Sequence, residues 1–393
     1  MIAVWRYNYT VIIGGPHTEC TMLPAIVTFP TSQVVTTVLN CTTHRNSSEN
    51  PPSSTWSVVE QVFVTSILAA IILGTLLGNL LVIASIAHFT KLQTSTNAFL
   101  LSLAAADFLL GVLVMPFSMI KTVFGWYFGR TFCKIHTVMD VMLCTSSILN
   151  VSCIAFDRYH AVCSPLKYRF RVSRRRVTAL LLFCWVLPGL VSFVPLLLDL
   201  HLKGLETILL QLDPHDCVFL VNVPYAITAS VLSFYVPMLV MLAAYGKIFQ
   251  IARIQARQVY TIENGSHETD VVRYRHSSSM KRETKAAKTL GVILGFFLLC
   301  WLPFFTTNII NSLLGYQVHH IMIEVFLWLG YVNSALNPLL YASFHQSFRR
   351  AFGLIIGCKV FTNDYKNNNL SSAVRSNTQI ATLSNQLSWT SQN

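Results

Sequence analysis

Two carboxylates lie inside long uncharged runs of this chain, Asp107 and Asp140. A buried carboxylate in an apolar run is costly, so it marks function by default. Arg158 follows Asp140 by eighteen residues, about 27 Å along a helix. If Arg158 lies at the inner face of a membrane, Asp140 stands in the outer third and is reachable from outside. No Lys or Arg falls in the apolar runs as bounded below. An external ammonium is therefore the expected partner of Asp140. A water-solvated Asp140 bonded to His136 is the structural alternative. Trp301, Phe304, Phe305, Trp328 and Tyr331 supply faces suited to cation–π contact at matching depth. Ser230 and Ser233 offer hydroxyls to a polar ring.

Asp107 sits mid-run, with Asn79, Ser147, Asn333, Ser334 and Asn337 available to it. That oxygen-rich set suits a sodium ion or a water-filled polar network. Glu324 stands seven residues before Tyr331, about 10 Å along one helix face. A diamine or polyamine held between Asp140 and Glu324 is one expectation. A monoamine on Asp140, with Glu324 solvated, is the other. Acidic residues Asp199, Glu206, Asp213 and Asp216 in the second outer loop would concentrate cations nearby.

The elements that position these groups must be membrane helices. Hydrophobic residues make up 53% and charged residues 11% of 393 residues, less than half the usual charged share of about 25%. Seven apolar runs are long enough to cross a bilayer: 61–87, 97–120, 135–156, 177–198, 217–246, 289–323 and 325–348. They do not alternate as barrel strands would. Pro116, Pro188, Pro195, Pro237, Pro303 and Pro338 fall inside them, as kinks that a bundle tolerates.

The net charge of +12 is concentrated in segments 158–176 and 247–288 and at Arg349 and Arg350. Between uncharged runs this is a topology signal rather than a nucleic-acid surface. It sets these segments inside and the N-terminus outside. Sequons at Asn8, Asn40 and Asn46 fall on the outer side. No charged and apolar leader precedes them, so the first span is expected to serve as the insertion signal. The expected organisation is a glycosylated outer segment over 1–60, a bundle over 61–357 that ends in a short amphipathic eighth helix, and a disordered inner tail over 358–393. Outer-side cysteines Cys20, Cys41, Cys133 and Cys217 allow three pairings, of which Cys133–Cys217 with Cys20–Cys41 is favoured. Cys144, Cys153, Cys184 and Cys300 read as packing residues, and Cys358 as a palmitoylation candidate.

Several motifs recur in order. They are Gly78-Asn79, Leu103-Ala104-Ala105-Ala106-Asp107, Asp157-Arg158-Tyr159, Trp185, Pro237, Cys300-Trp301-Leu302-Pro303 and Asn337-Pro338-Leu339-Leu340-Tyr341. With these the chain resembles rhodopsin-like G protein-coupled receptors over residues 60–357. Asp140 matches the amine-binding position of the biogenic amine group. The runs 328–334 and 285–290 look most like trace amine-associated receptors. After Tyr341 the chain departs from that group, reading Phe344-His345-Gln346-Ser347-Phe348.

The resemblance implies an all-α seven-helix receptor that binds a small amine outside. It implies coupling to a heterotrimeric G protein, stimulation of cyclic AMP, arrestin and receptor kinases as further partners, and an olfactory role. It implies an inner switch in which Arg158 is held by Asp157 and Glu283 at rest and turns toward Tyr245 on activation, with Tyr159 and Tyr341 beside it. A serotonin-type monoamine receptor and a peptide receptor using Asp140 for a basic side chain are the alternatives. An opsin is disfavoured because Tyr331 stands where the retinal Lys would be. No enzyme is expected: the sequence shows no metal cluster and no nucleophile paired with a base. No cofactor is expected beyond a sodium ion near Asp107.

Overall fold

The computed structural model describes residues 57–163, 173–210, 216–263, 292 and 294–357, together with the backbone of 18–29 and 32–43. At 252, 255–263 and 344 the backbone alone is described. The chain divides into two units, residues 1–55 and 56–393.

In the first unit, strands Thr18–Phe29 and Ser32–Thr43 pair antiparallel, and Cys20 stands opposite Cys41 in the register. Asn40 lies in the second strand, opposite Thr21. Asn8 and Asn46 lie outside the described residues, as do Asp213, Glu283, Cys358 and the tail beyond 357.

The second unit is an all-α membrane bundle. Among the described residues, six helical stretches are long and apolar enough to cross a membrane: Val58–His88, Ser95–Phe124, Gly129–Cys163, Arg174–Leu197, Val223–Ile251 and Leu294–Leu313. A further helix, His320–Phe344, is also long enough but less apolar, because Asn333, Ser334 and Asn337 turn inward from it. Many polar side chains are buried, while many large apolar ones face outward. Asp107 is 0% exposed while Leu77 is 65% exposed. That inversion suits a lipid surround, where only buried polar groups find partners.

Five of the spans begin where a side chain satisfies one of the first free N–H groups. Ser57 and Glu60 cap one another at the first span. Thr94, Ser173, Asn222 and His319 accept from the first turns of the second, fourth, fifth and seventh spans.

The helix ends differ from the expected runs at three places. The second span does not stop at Ile120: it breaks at Val114, next to Pro116, and a second helical piece runs Met115–Phe124. The sixth ends at Leu313 among the described residues, and the seventh starts at His320, so Glu324 lies inside that helix rather than at its mouth. The seventh ends at Phe344, and after an extended His345 the amphipathic helix Gln346–Ile356 follows. Phe348 and Phe352 on its buried face anchor it.

The third span is the central post, packed on the second, fourth and fifth. Its outer end is fixed in several ways. Cys133 forms a disulfide with Cys217. Lys134 bonds Asp199 at 2.9 Å. The second outer loop is tied to the fifth span by the Asn222 amide, which donates to the Leu200 and Lys203 carbonyls at 2.9 and 3.1 Å.

Candidate ligand pocket and its polar support

Two helices bring the anchor together, the third and the seventh. Asp140 is half-buried. Its described hydrogen-bond partners are neutral: the Cys144 thiol, which donates to Oδ1 at 3.2 Å, and the Tyr331 hydroxyl. The Cys144 role was not legible in the sequence, where it read as packing. Tyr331 also meets Ser118 Oγ at 3.3 Å, and Ser118 meets His136 Nε2 at 3.2 Å. His136 lies within 3.2 Å of the Val114 carbonyl, freed where the second span breaks. Hydrogen bonds therefore turn His136 toward the second span rather than to Asp140. Ser118, Tyr331 and His136 thus form a chain of polar contacts that reaches Asp140 through the Tyr331 hydroxyl.

The aromatic residues form two groups. In the sixth span Trp301, Phe304 and Phe305 pack with centroids 5.4 to 6.2 Å apart. Phe305 stacks on Phe234 of the fifth span at 4.8 Å. In the seventh, Trp328 meets Tyr331 edge-on at 5.2 Å. Gly330 admits the Trp301 ring between these groups, since a Cβ there would stand 2.6 Å from it.

The fifth span carries a π-helical turn, Val231–Tyr235, just before Pro237. Such turns arise where a helix is under local constraint and recur at functional sites. Ser230, at its start, is buried, and its hydroxyl has no hydrogen-bond partner among the described residues. Ser233 is already taken, accepting from Thr145 at 3.1 Å.

Glu324 differs from both expectations. Its Oε1 stands 2.8 Å from Lys121 Nζ, and Thr122 donates to its Oε2 at 3.0 Å. The Trp328 indole N–H in turn donates to Thr122 at 3.1 Å. Glu324 is thus paired within the chain, with its side chain 18% exposed. Lys121 falls one residue beyond Ile120, where the sequence ends the second span. Its helix continues for another turn and carries Lys121 inward.

Below the anchor, Asp107 accepts from Ser147 at 2.7 Å, Ser334 at 2.8 Å and Asn337 at 2.7 Å. Charge-assisted bonds of this kind are worth about 1.5–3 kcal/mol each, and they offset part of the cost of taking the carboxylate out of water. Asn79 does not reach Asp107. Its amide donates to the Thr75 and Ser334 carbonyls at 2.9 and 3.1 Å. Asn333 does not join either, and its amide nitrogen has no partner among the described residues. Gly78 lets Pro338 pack close, since a Cβ on it would stand 2.8 Å from the proline ring.

At the inner end, Asp157 Oδ2 lies 3.5 Å from Arg158 Nη2. Tyr245 and Tyr341 are buried, and Arg158 is near enough to act on Tyr245 electrostatically. Tyr159 is half-buried and packs edge-on against His160 at 5.2 Å. Tyr341 leans on Phe348 at 5.9 Å, joining the seventh span to the amphipathic helix.

These helices, motifs and buried acids define a seven-helix receptor, and the chain belongs to the 7 transmembrane receptor (rhodopsin family), matched over residues 78–341. It is not an enzyme. It is 42% identical to trace amine-associated receptor 365 of Petromyzon marinus, over 79% of this chain and 84% of that one. It is 41% identical to trace amine-associated receptor 1 of Mus musculus, over 82% and 94%. It is 42% identical to 5-hydroxytryptamine receptor 4 of Homo sapiens, over 76% and 81%.

Proposed function

We propose that this receptor binds a small amine from outside the plasma membrane, with its N-terminus outside, and activates a heterotrimeric G protein of the cyclic AMP-stimulating type. The observation that carries the reading is Asp140: a half-buried carboxylate in a membrane helix, held by a thiol and a phenol. Neutral donors orient it without neutralising it, so an ammonium supplies the missing charge. The Trp301–Phe304–Phe305 group and the Trp328–Tyr331 pair supply ring faces to that ammonium. The unpartnered Ser230 hydroxyl suits a polar group on the far side of an aromatic amine. The names of the similar receptors, for trace amines and for 5-hydroxytryptamine, support the same ligand class.

An amine that orders Asp140 and Trp301 together shifts the bundle toward its signalling state by its differential affinity for that state. Arg158, Tyr245 and Tyr341 form the part that the G protein meets. Arrestin and receptor kinases act on the same inner face and tail. A sodium ion at Asp107 is part of the proposal: the Ser147 and Ser334 hydroxyls can rotate to present lone pairs, while Asn337 must turn its oxygen inward. Asn8, Asn40 and Asn46 carry glycans, and Cys358 a palmitoyl chain.

The test is cyclic AMP in cells expressing the chain, exposed to phenylethylamine, tyramine, serotonin and straight-chain diamines. A response lost in Asp140→Ala at equal surface expression is expected. A full response in that variant would refute the anchor.

A further inference from the structure

Two carboxylates stand on two levels of the pocket. Tyr331 of the lower level and Glu324 of the upper lie seven residues apart on one helix, about 10 Å. Such a ladder is built to hold two ammonium groups at once. Yet its upper rung is filled from within the chain. Lys121 Nζ contacts Glu324 Oε1 at 2.8 Å, and the pair is sheltered, with side chains 22% and 18% exposed. The other Glu324 oxygen takes the Thr122 hydroxyl. Thr122 also accepts the Trp328 N–H, which places this pair directly above the ring that meets Tyr331.

We propose that Lys121 is a specificity-determining residue: it serves as a built-in second ammonium and restricts the receptor to amines with one cationic end. The inference rests on the amine reading of Asp140. A diamine entering the wild-type pocket gains nothing from Glu324. It must first break the Lys121 contact, and it then exchanges one N–H···O⁻ pair for another while Lys121 is left uncompensated. The contacting Lys121–Glu324 pair carries no net charge, so it offers a second ammonium no net attraction. Selection against the wrong ligand by an already occupied site is a general route to specificity. Lys121 acts electrostatically on both His136 and Asp140, so its charge is felt at the lower level.

The experiment measures the ratio of diamine to monoamine potency in cells expressing the full chain, with surface staining of each variant. Diaminohexane and diaminooctane are the divalent probes, hexylamine and tyramine the monovalent ones. Lys121→Gln should raise the ratio about tenfold, because Glu324 becomes free for an ammonium. Lys121→Arg should leave it near wild type. Lys121→Gln combined with Glu324→Gln should remove the gain. Lys121→Met keeps the apolar stem and serves as the companion if Lys121→Gln does not reach the surface. An unchanged ratio in surface-expressed Lys121→Gln or Lys121→Met overturns the inference, as does a gain that survives loss of Glu324. If the wild type is silent to every amine, or Asp140→Ala responds normally, the amine reading itself fails and carries the inference down with it.

Discussion

The Trp301 indole packs directly on Gly330, so closely that a single methyl on the glycine would stand 2.6 Å from the ring. At Gly330 the seventh span therefore meets the Trp301 ring with no side chain of its own between them. Gly330→Ala should lower thermal stability in detergent, by about 1–3 kcal/mol if the ring cannot shift. It should also alter amine efficacy, since Trp301 is displaced. Melting temperature and maximal cyclic AMP response measure the two effects. An unchanged melting temperature would show that the ring moves freely.

Tyr331→Phe removes the phenol that joins Asp140 to Ser118 and His136. The carboxylate keeps its charge but loses an orienting donor. Amine potency should fall about tenfold, the cost of one hydrogen bond to a charged group. Cell-surface level should hold. A loss as complete as that of Asp140→Ala would mean that Tyr331 binds the amine more strongly than the acid does.

Ser230→Ala should discriminate between ligands. Serotonin and tyramine carry a ring hydroxyl, and phenylethylamine does not. The variant should weaken the first two by several-fold, the worth of about 1 kcal/mol, and leave the third unchanged. Equal effects on all three would assign Ser230 to helix packing.

Sodium linkage tests the lower network. Replacing choline chloride with sodium chloride should change amine affinity in the wild type and leave Asp107→Asn indifferent. Asparagine keeps the volume and removes the charge that a cation needs. A wild-type affinity indifferent to sodium would mean that Ser147, Ser334 and Asn337 satisfy Asp107 without an ion.

The second outer loop predicts an acid limit. Burial holds the His201 imidazole below its ordinary value of 6.5, against the raising effects of the Pro195 carbonyl and Asp199, while Lys134 lowers it further. The neutral form is the folded form. The contribution of His201 to stability is complete above about pH 6.5, and it is lost as pH falls below that value toward the depressed folded pKa. Melting temperature should drop through that window in the wild type and less in His201→Gln. Parallel curves would assign the acid sensitivity elsewhere.

The architecture was largely legible because each cue had a physical cause that the bundle keeps. Uniform apolar runs exposed the spans, and the basic segments between them gave an expected orientation. Asp107 and Asp140 stood out because lipid makes lone acids expensive. What stayed hidden was side-chain direction near helix ends. Lys121 lies one residue beyond the expected end of the second span, so its pairing with Glu324 was invisible. The break at Val114 turns Ser118 and Thr122 toward the seventh span, and no periodicity shows that. Cys144 looked like packing because a thiol is both apolar and a weak donor. Asn79 and Asn333 were grouped with Asp107 by depth alone, and their side chains go elsewhere.

The fastening of the third span is uneven along its length. A covalent bridge at Cys133 and the Lys134–Asp199 pair fix one end to the loop before the fifth span. Toward the other end, Arg158 meets Asp157, its neighbour on the same helix. The covalent fastening lies seven residues from Asp140 and twenty-five from Arg158. Loosening that loop therefore acts more directly on Asp140 than on Arg158.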